Sequence, residues 1–548
     1  MSADSEEKPA ATSKKLRTAL SEEKIYSFLK QFAVVRRRAK RKPVAEFYSE
    51  QYLTVERNAD VVAHRAPDAP PDTTVEVDVP PLYHEVLTAN LDIERNKTAI
   101  QRAQYELEST LKNLQHSFGD DWGGANGLGL VIAWGLPYFF NFMEPLASLS
   151  DEYIPVDLYA TKAYNGRTLA LLEAVRFPGD PLDLIIENND VAIVLVSDHS
   201  ENIARGRAAL VSTGLFSFTS MRKGFLGSNA FKNETQPSLV KQLATRAGIL
   251  GADRIPDNAE LFMGFTSTIE NSIGIGRIDN FESLGLTNQT PKSYFAHGTI
   301  MHLSHITEDL ELWYNKYFPN FAQRVQRMHG PARGSKALNV PEGTVTIDTG
   351  GSQEEGSATQ LLAANSSSPL VASSSVIQSQ VEKFGVAGHS AAIQPVSRLA
   401  EDITDPYGTM YKKGQAVPLR VDFNTLDNPF YYSSRPSVDG MQLENAAGVH
   451  FVVFVPTSDF FHRVRLAQDG RYNLVAPYAK PGKGGTAVAY DFDNPAYCKS
   501  NNVLVQNSAP LGALSLGMGI NIVTTTTHRQ NFLVPPTEHR SFPLAELL

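Results

Sequence analysis

Apolar residues in this chain follow two spacings, and the spacing of each stretch predicts its element. From Asn96 to Phe118, Ile100, Tyr105, Leu107, Leu111 and Leu114 recur at helical intervals and predict an amphipathic helix. Short apolar runs bounded by Gly, Pro or Asp predict strands instead. These are GLGLVIAWGL (127–136), two runs within DLIIENNDVAIVLVSD (183–198), GTIMHLSHI (298–306) and GVHFVVFVP (448–456). Further helices are expected from about His199, over EDLELWYNKYF (308–318) and over DFFHRVRLAQ (459–468). Strands and helices alternate in two successive halves. The expected class is therefore α+β, with two similar lobes, each an antiparallel sheet covered by helices.

Outside these halves the pattern changes. Residues 1–20 are polar, Ser21–Phe47 has helical spacing with Ser21 as N-cap, and the segment from Ala66 to Pro81 is proline-rich and reads as extended. The expected organisation is an N-terminal extension or assembly arm (1–90), a first lobe (91–290), a second lobe (291–470) and a loop-rich C-terminal extension (471–548). A Ser-rich insertion, 350–380, interrupts the second lobe. The adjacent Pro535 and Pro536 preclude a regular helix near the C-terminal end.

Composition narrows the chemistry. With 548 residues, 42% of them hydrophobic, the chain can bury at least one large core. A net charge of -9 argues against a broad nucleic-acid surface, and the basic run Arg36–Lys42 reads as a solvated face. The single cysteine, Cys498, excludes an intrachain disulfide, covalent haem attachment through CxxCH and a thiolate metal cluster within one chain. No secretory signal opens the sequence, and the apolar stretch 127–142 is too short and too interrupted to span a bilayer, so a cytoplasmic protein is expected. His302 and His305 differ by three positions on a strand and should face opposite sides, which makes a shared metal site involving them and His297 improbable. GIGRIDNFESLG (274–285) lacks the full dinucleotide-binding pattern.

Over about residues 125–470, the order of these pieces resembles the dye-decolorizing (DyP-type) haem peroxidase superfamily. The landmarks are GLVIAWGLPYFF, GDPLDLIIEN, RKGF (222–225), LFMGFTSTIENS, HGTIMHLSHITEDLELW, GVAGHSAAIQPVSRL (385–399), PLRVDFNT (418–425) and GVHFVVFVPTSDFFHRV. The resemblance implies two ferredoxin-like lobes of the dimeric α+β-barrel type holding haem b. It also implies that His389 is the iron ligand, Arg420 the distal arginine, and Gly264, Phe265 and Thr268 part of the distal loop. One departure stands out. The family's distal Gly-x-x-Asp-Gly motif, aligned on Gly264 and Phe265, places Ser267 where the catalytic aspartate belongs. A serine hydroxyl is a poor base near neutral pH, which leaves Glu270 as the neighbouring carboxylate able to take that part.

The implied activity is reduction of hydrogen peroxide with oxidation of an organic donor, by a chain that self-associates as a homo-oligomer. Two alternatives stay open: a haem-dependent dehydratase or other non-peroxidatic haem enzyme, and a non-catalytic binding or assembly protein on the same fold. Trp313 and Tyr314 are expected to pack the second-lobe helix rather than carry oxidising equivalents outward.

Overall fold

The computed structural model describes residues 81–124, 126–143, 153–164, 167–177, 180–227, 237–257, 261–264, 284–320, 402–406, 417–420, 422–426, 445–468 and 522–548. A few single positions, His389 among them, and a paired set of strands, Leu53–Arg57 and Val75–Val79, complete the described part. The expected helix over 21–47, the basic run, the Ser-rich insertion and the distal-loop residues after Gly264 lie outside it.

Eight strands close on themselves. In chain order they are β1 (Tyr83–Leu91), β2 (Gly129–Gly135), β3 (Val191–Ser197), β4 (Phe216–Phe225), β5 (Thr299–Glu308), β6 (Phe423–Thr425), β7 (Gly448–Val455) and β8 (Thr524–Val534). All eight neighbouring pairs are antiparallel, in the order β2-β3-β1-β4-β6-β7-β5-β8 and back to β2. Each half repeats one topology, its four strands ordered second, third, first, fourth. The expected α+β class holds, but the two separate lobes do not: the halves join edge to edge in a single barrel. The joints are short, with Phe532 and Leu533 of β8 opposite Gly135 and Trp134 of β2, and Asn424 of β6 opposite Phe225 of β4. Closure removes the open sheet edges that separate lobes would leave unpaired.

Helices cover the outside. Helix α1 (Lys97–Phe118) begins where the Asn96 side chain accepts a hydrogen bond from the Ala99 N–H at 2.9 Å, and it buries Ile100, Ala103, Leu107, Leu111 and Leu114. Truncating a core residue of this kind, such as Leu107, costs about 2–5 kcal/mol. Helices α2 (Ser200–Ser212) and α3 (Ser458–Gln468) follow β3 and β7 in corresponding places. The segment after β8 clasps α1: Arg540 pairs with Glu108 at 3.2 Å, Trp134 Nε1 donates to the Arg540 carbonyl at 3.0 Å, and Tyr138 Oη donates to the Pro543 carbonyl at 2.8 Å. Both β1 and β8 fall in stretches that the sequence pattern assigns to extensions.

Inside the barrel sit Val86, Ala133, Val194, Met301, Leu303, Val452, Phe454 and Phe532. An eight-stranded barrel has an interior just wide enough for side chains to fill. The polar residues sharing these inward register positions make this interior unusual.

Candidate functional site

The expected site residues fall on different elements. His389 occupies a helical position and its side chain is half-buried. Arg420 belongs to a short strand, Leu419–Arg420, that pairs with β7 opposite Val453, along the same edge as β6. Gly264 ends a described segment with φ at +92°, a left-handed conformation in which a side chain is strained. A Cβ there would also come within 2.8 Å of the Tyr314 hydroxyl. Phe265, Ser267, Thr268 and Glu270 lie outside the described residues.

Trp313 and Tyr314 do more than fill a core. Both are buried in the π-helical turn Leu312–Tyr317. Trp313 Nε1 donates to the Met263 carbonyl at 2.9 Å, and Tyr314 Oη donates to the Phe262 carbonyl at 2.8 Å. Phe262 in turn packs edge-on against Phe225 at the end of β4, with ring centroids 6.0 Å apart. Two polar tips on large aromatic bodies thus fix the backbone that leads into the distal-loop sequence.

His302 and His305 do face opposite sides of β5. His302 points outward beneath α3, where its ring stacks on Phe461 with centroids 3.3 Å apart. Its Nδ1 lies 2.6 Å from Asn531 Oδ1 and its Nε2 lies 2.6 Å from Ser304 Oγ. The Asn531 amide donates to the Leu172 carbonyl at 3.0 Å and sits 3.4 Å from His462 Nε2 of α3. Beside this group Asp180 accepts from Arg529 at 2.5 and 3.0 Å, from Arg465 at 2.8 Å and from the Phe177 N–H at 2.7 Å. Burial alone would raise the Asp180 carboxyl, but the two guanidiniums and these hydrogen bonds hold it below its ordinary value. Burial and the nearby Arg529 charge keep His302 well below its ordinary value and bring His462 to about 3, so both rings are neutral near pH 7. The chemistry here is that of a clamp joining α3, β8 and the segment 172–180 to the sheet. Asp180, Arg465, His462, Arg529 and Asn531 escaped sequence reasoning because they come from three widely separated stretches.

Inward-facing positions carry a second polar group. His305 of β5 lies opposite both His450 of β7 and His528 of β8 in the register, and His84 of β1 stacks on Phe423 of β6 with centroids 4.0 Å apart. Arg222 of β4 pairs with Glu187 and its Nε lies 3.2 Å from Ser220 Oγ. Burial lowers His84 and His305 to about 3, with the Arg222 charge adding to the effect at His305.

Among solved structures the chain is similar to a putative DyP-type peroxidase from Shewanella oneidensis, at 11% identity, TM-score 0.42, covering 85% of this chain and 95% of that one. A DyP-type peroxidase from Cellulomonas bogoriensis matches at 13% identity and TM-score 0.42, covering 83% and 90%. A dye-decolorizing peroxidase from Bacteroides thetaiotaomicron matches at 10% identity and TM-score 0.42, covering 85% and 94%. These neighbours bear the family name that the order of motifs suggests, and likeness at such TM-scores says nothing of cofactor or reaction. No curated protein matches the sequence. A family model described as a family of unknown function, DUF7405, matches residues 81–477, well over half of the chain. The chain therefore belongs to the DUF7405 family of unknown function.

Proposed function

We propose that this chain binds haem b through His389 and acts as a peroxidase-type oxidoreductase whose distal site has lost its aspartate. The observation that carries the reading is the ordered set of motifs around His389. The donor chemistry fits: a half-buried imidazole in a helical position, flanked in sequence by Ala387, Gly388, Ser390 and Ala391, offers a nitrogen ligand with small neighbours beside a flat macrocycle. When bound, haem supplies a redox-active iron that accepts oxidising equivalents from peroxide.

The protein's own part is electrostatic and positional. Arg420 donates hydrogen bonds to a bound peroxide and stabilises negative charge on its departing oxygen. Ser267 holds a hydrogen bond without acting as a base, and Glu270 is the carboxylate placed in sequence to move the proton. The anchoring of Phe262 and Met263 by Tyr314 and Trp313 gives this loop a fixed base. A hydroxyl in place of the acid also suits a haem enzyme that positions a substrate oxygen without cleaving peroxide.

The visible absorption spectrum of full-length protein expressed with haem supplied, beside that of His389→Ala, tests the reading. A haem band in the wild type that is lost or shifted in the variant supports ligation. Absence of specific haem uptake in the wild type overturns it. With haem bound, Ser267→Asp should raise peroxide turnover with a donor dye by about a hundredfold or more, the lower range of a restored general base.

A further inference from the structure

Three imidazoles lie side by side inside the barrel, and two of them have ring nitrogens that the protein leaves unused. His84 and His450 are fully buried, and among the described residues neither nitrogen of either ring has a hydrogen-bond partner. The His84 and His450 ring centroids are 5.8 Å apart, and those of His450 and His305 are 5.3 Å apart. A neutral imidazole has one N–H donor and one lone pair, and leaving such a group unmet in a buried position costs about 1–3 kcal/mol. A phenyl ring would fill the same space without that cost, so packing alone does not account for histidine at both positions.

Ligand chemistry does account for it. The neutral imidazole is the form that binds zinc and its first-row neighbours, and burial keeps these rings neutral. Metal–nitrogen bonds of about 2.0–2.1 Å to a tetrahedral ion set two imidazole centroids about 5 Å apart, close to the spacings seen here. The backbone of β4 approaches the rings too closely to carry a side chain at this point. Gly224 of β4 lies opposite His84 in the register, and a Cβ on it would sit 3.4 Å from His450 Nδ1 and 2.8 Å from Phe423 Cβ.

Among the described residues no three such side chains already converge on one point. Binding therefore requires ring rotation, which the geometry permits: a half-turn of His84 about Cβ–Cγ exchanges its nitrogen and carbon edges while the ring stays stacked on Phe423. Arg222, whose charge acts on His305 and His450, is itself paired with Glu187.

We propose that His84, His305 and His450 form an internal site for one divalent transition-metal ion, zinc or an imidazole-preferring neighbour, distinct from any iron held at His389. Metal analysis of full-length protein expressed in zinc-supplemented medium, with zinc K-edge X-ray absorption, tests the proposal. About one zinc per chain with a nitrogen-only imidazole shell is expected in the wild type. The same zinc content should persist in His389→Ala and fall at least tenfold in His84→Phe/His450→Phe, with circular dichroism reporting the fold. Folded wild type without zinc, or with zinc in an oxygen-rich or sulfur-containing shell, overturns the proposal. So does a folded double variant that keeps the full zinc content. Should the double variant not fold, the wild-type shell and the milder His450→Gln variant decide the question. Loss of zinc in His389→Ala would transfer the site to that residue and overturn the barrel assignment while leaving the haem spectrum to judge His389 separately.

Discussion

The outer and inner faces of the barrel wall carry histidines about equally hidden from water, yet the surroundings treat His302 outside and His84 and His450 inside oppositely. On the outer face, His302 has both ring nitrogens hydrogen-bonded and its neighbours Asp180, Arg465 and Arg529 are joined by ion pairs. On the inner face, His84 and His450 press against each other and against Phe423 with their nitrogens unmet. Burial is thus a poor guide to the role of a histidine. Hydrogen-bond partners separate a clamp from a cluster available for a ligand.

Acid should strike both clusters and give the largest effect. His84, His305 and His462 have folded-state values of about 3, below the ordinary 6.5, so the unfolded chain binds more protons between those limits. Their contribution is complete above about pH 6.5 and is lost as pH falls toward 3. The loss approaches ~1.4 kcal/mol per pH unit for each ring. Unfolding free energies from urea titrations at pH 7.5 and 5 should differ by several kcal/mol, on the order of 6 for the three rings together. Asp157 works the other way: burial, and then Asp459, raise its carboxyl above 3.8, so its contribution is present at low pH and lost as pH rises through the raised value. Asp157→Asn should therefore steepen the acid loss.

The outer clamp should break next. Asp180→Ala leaves Arg465 and Arg529 buried without their counter-charge, which costs about 3–5 kcal/mol by denaturant unfolding. Asn531→Leu strips one partner from His302 and should cost about 1–3 kcal/mol in the same assay. His450→Phe, on the inner face, sharpens the contrast most. In metal-free protein it should change stability by less than about 1 kcal/mol, or stabilise it, because no hydrogen bond is lost and a similar shape is kept. In zinc-loaded protein the same variant should lose the stabilisation that a bound ligand confers.

The same contrast explains which elements were legible in the sequence. Strands β2, β3, β5 and β7 stand out because their apolar runs are nearly continuous, and α1, α2 and α3 because their spacing is helical. Strands β1 (YHEVLTANL), β4 (FSFTSMRKGF) and β8 (TTTTHRQNFLV) were missed. Their inward positions hold His84, Thr88, Ser220, Arg222, His528 and Gln530, residues that in an ordinary sheet mark the solvent face. A polar barrel interior erases the alternation by which strands are read. Closure is invisible for another reason: it rests on a few residue pairs at each joint. Gly264, His389 and Arg420 are candidates because short motifs surround them in the sequence, whereas the Asp180 clamp depends on partners up to 349 residues apart.

The strand that seals the barrel comes late in the chain. Asn531 of β8 meets His302 across 229 residues, and the segment beyond β8 reaches back 405 residues, from Pro543 to Tyr138. Contacts of such long range form slowly, and the gap between β5 and β2 can close only after β8 has been made. Whatever occupies the interior would enter through that gap and be locked in when β8 docks. The order of assembly would then govern loading, and release would wait on a rare opening of the wall.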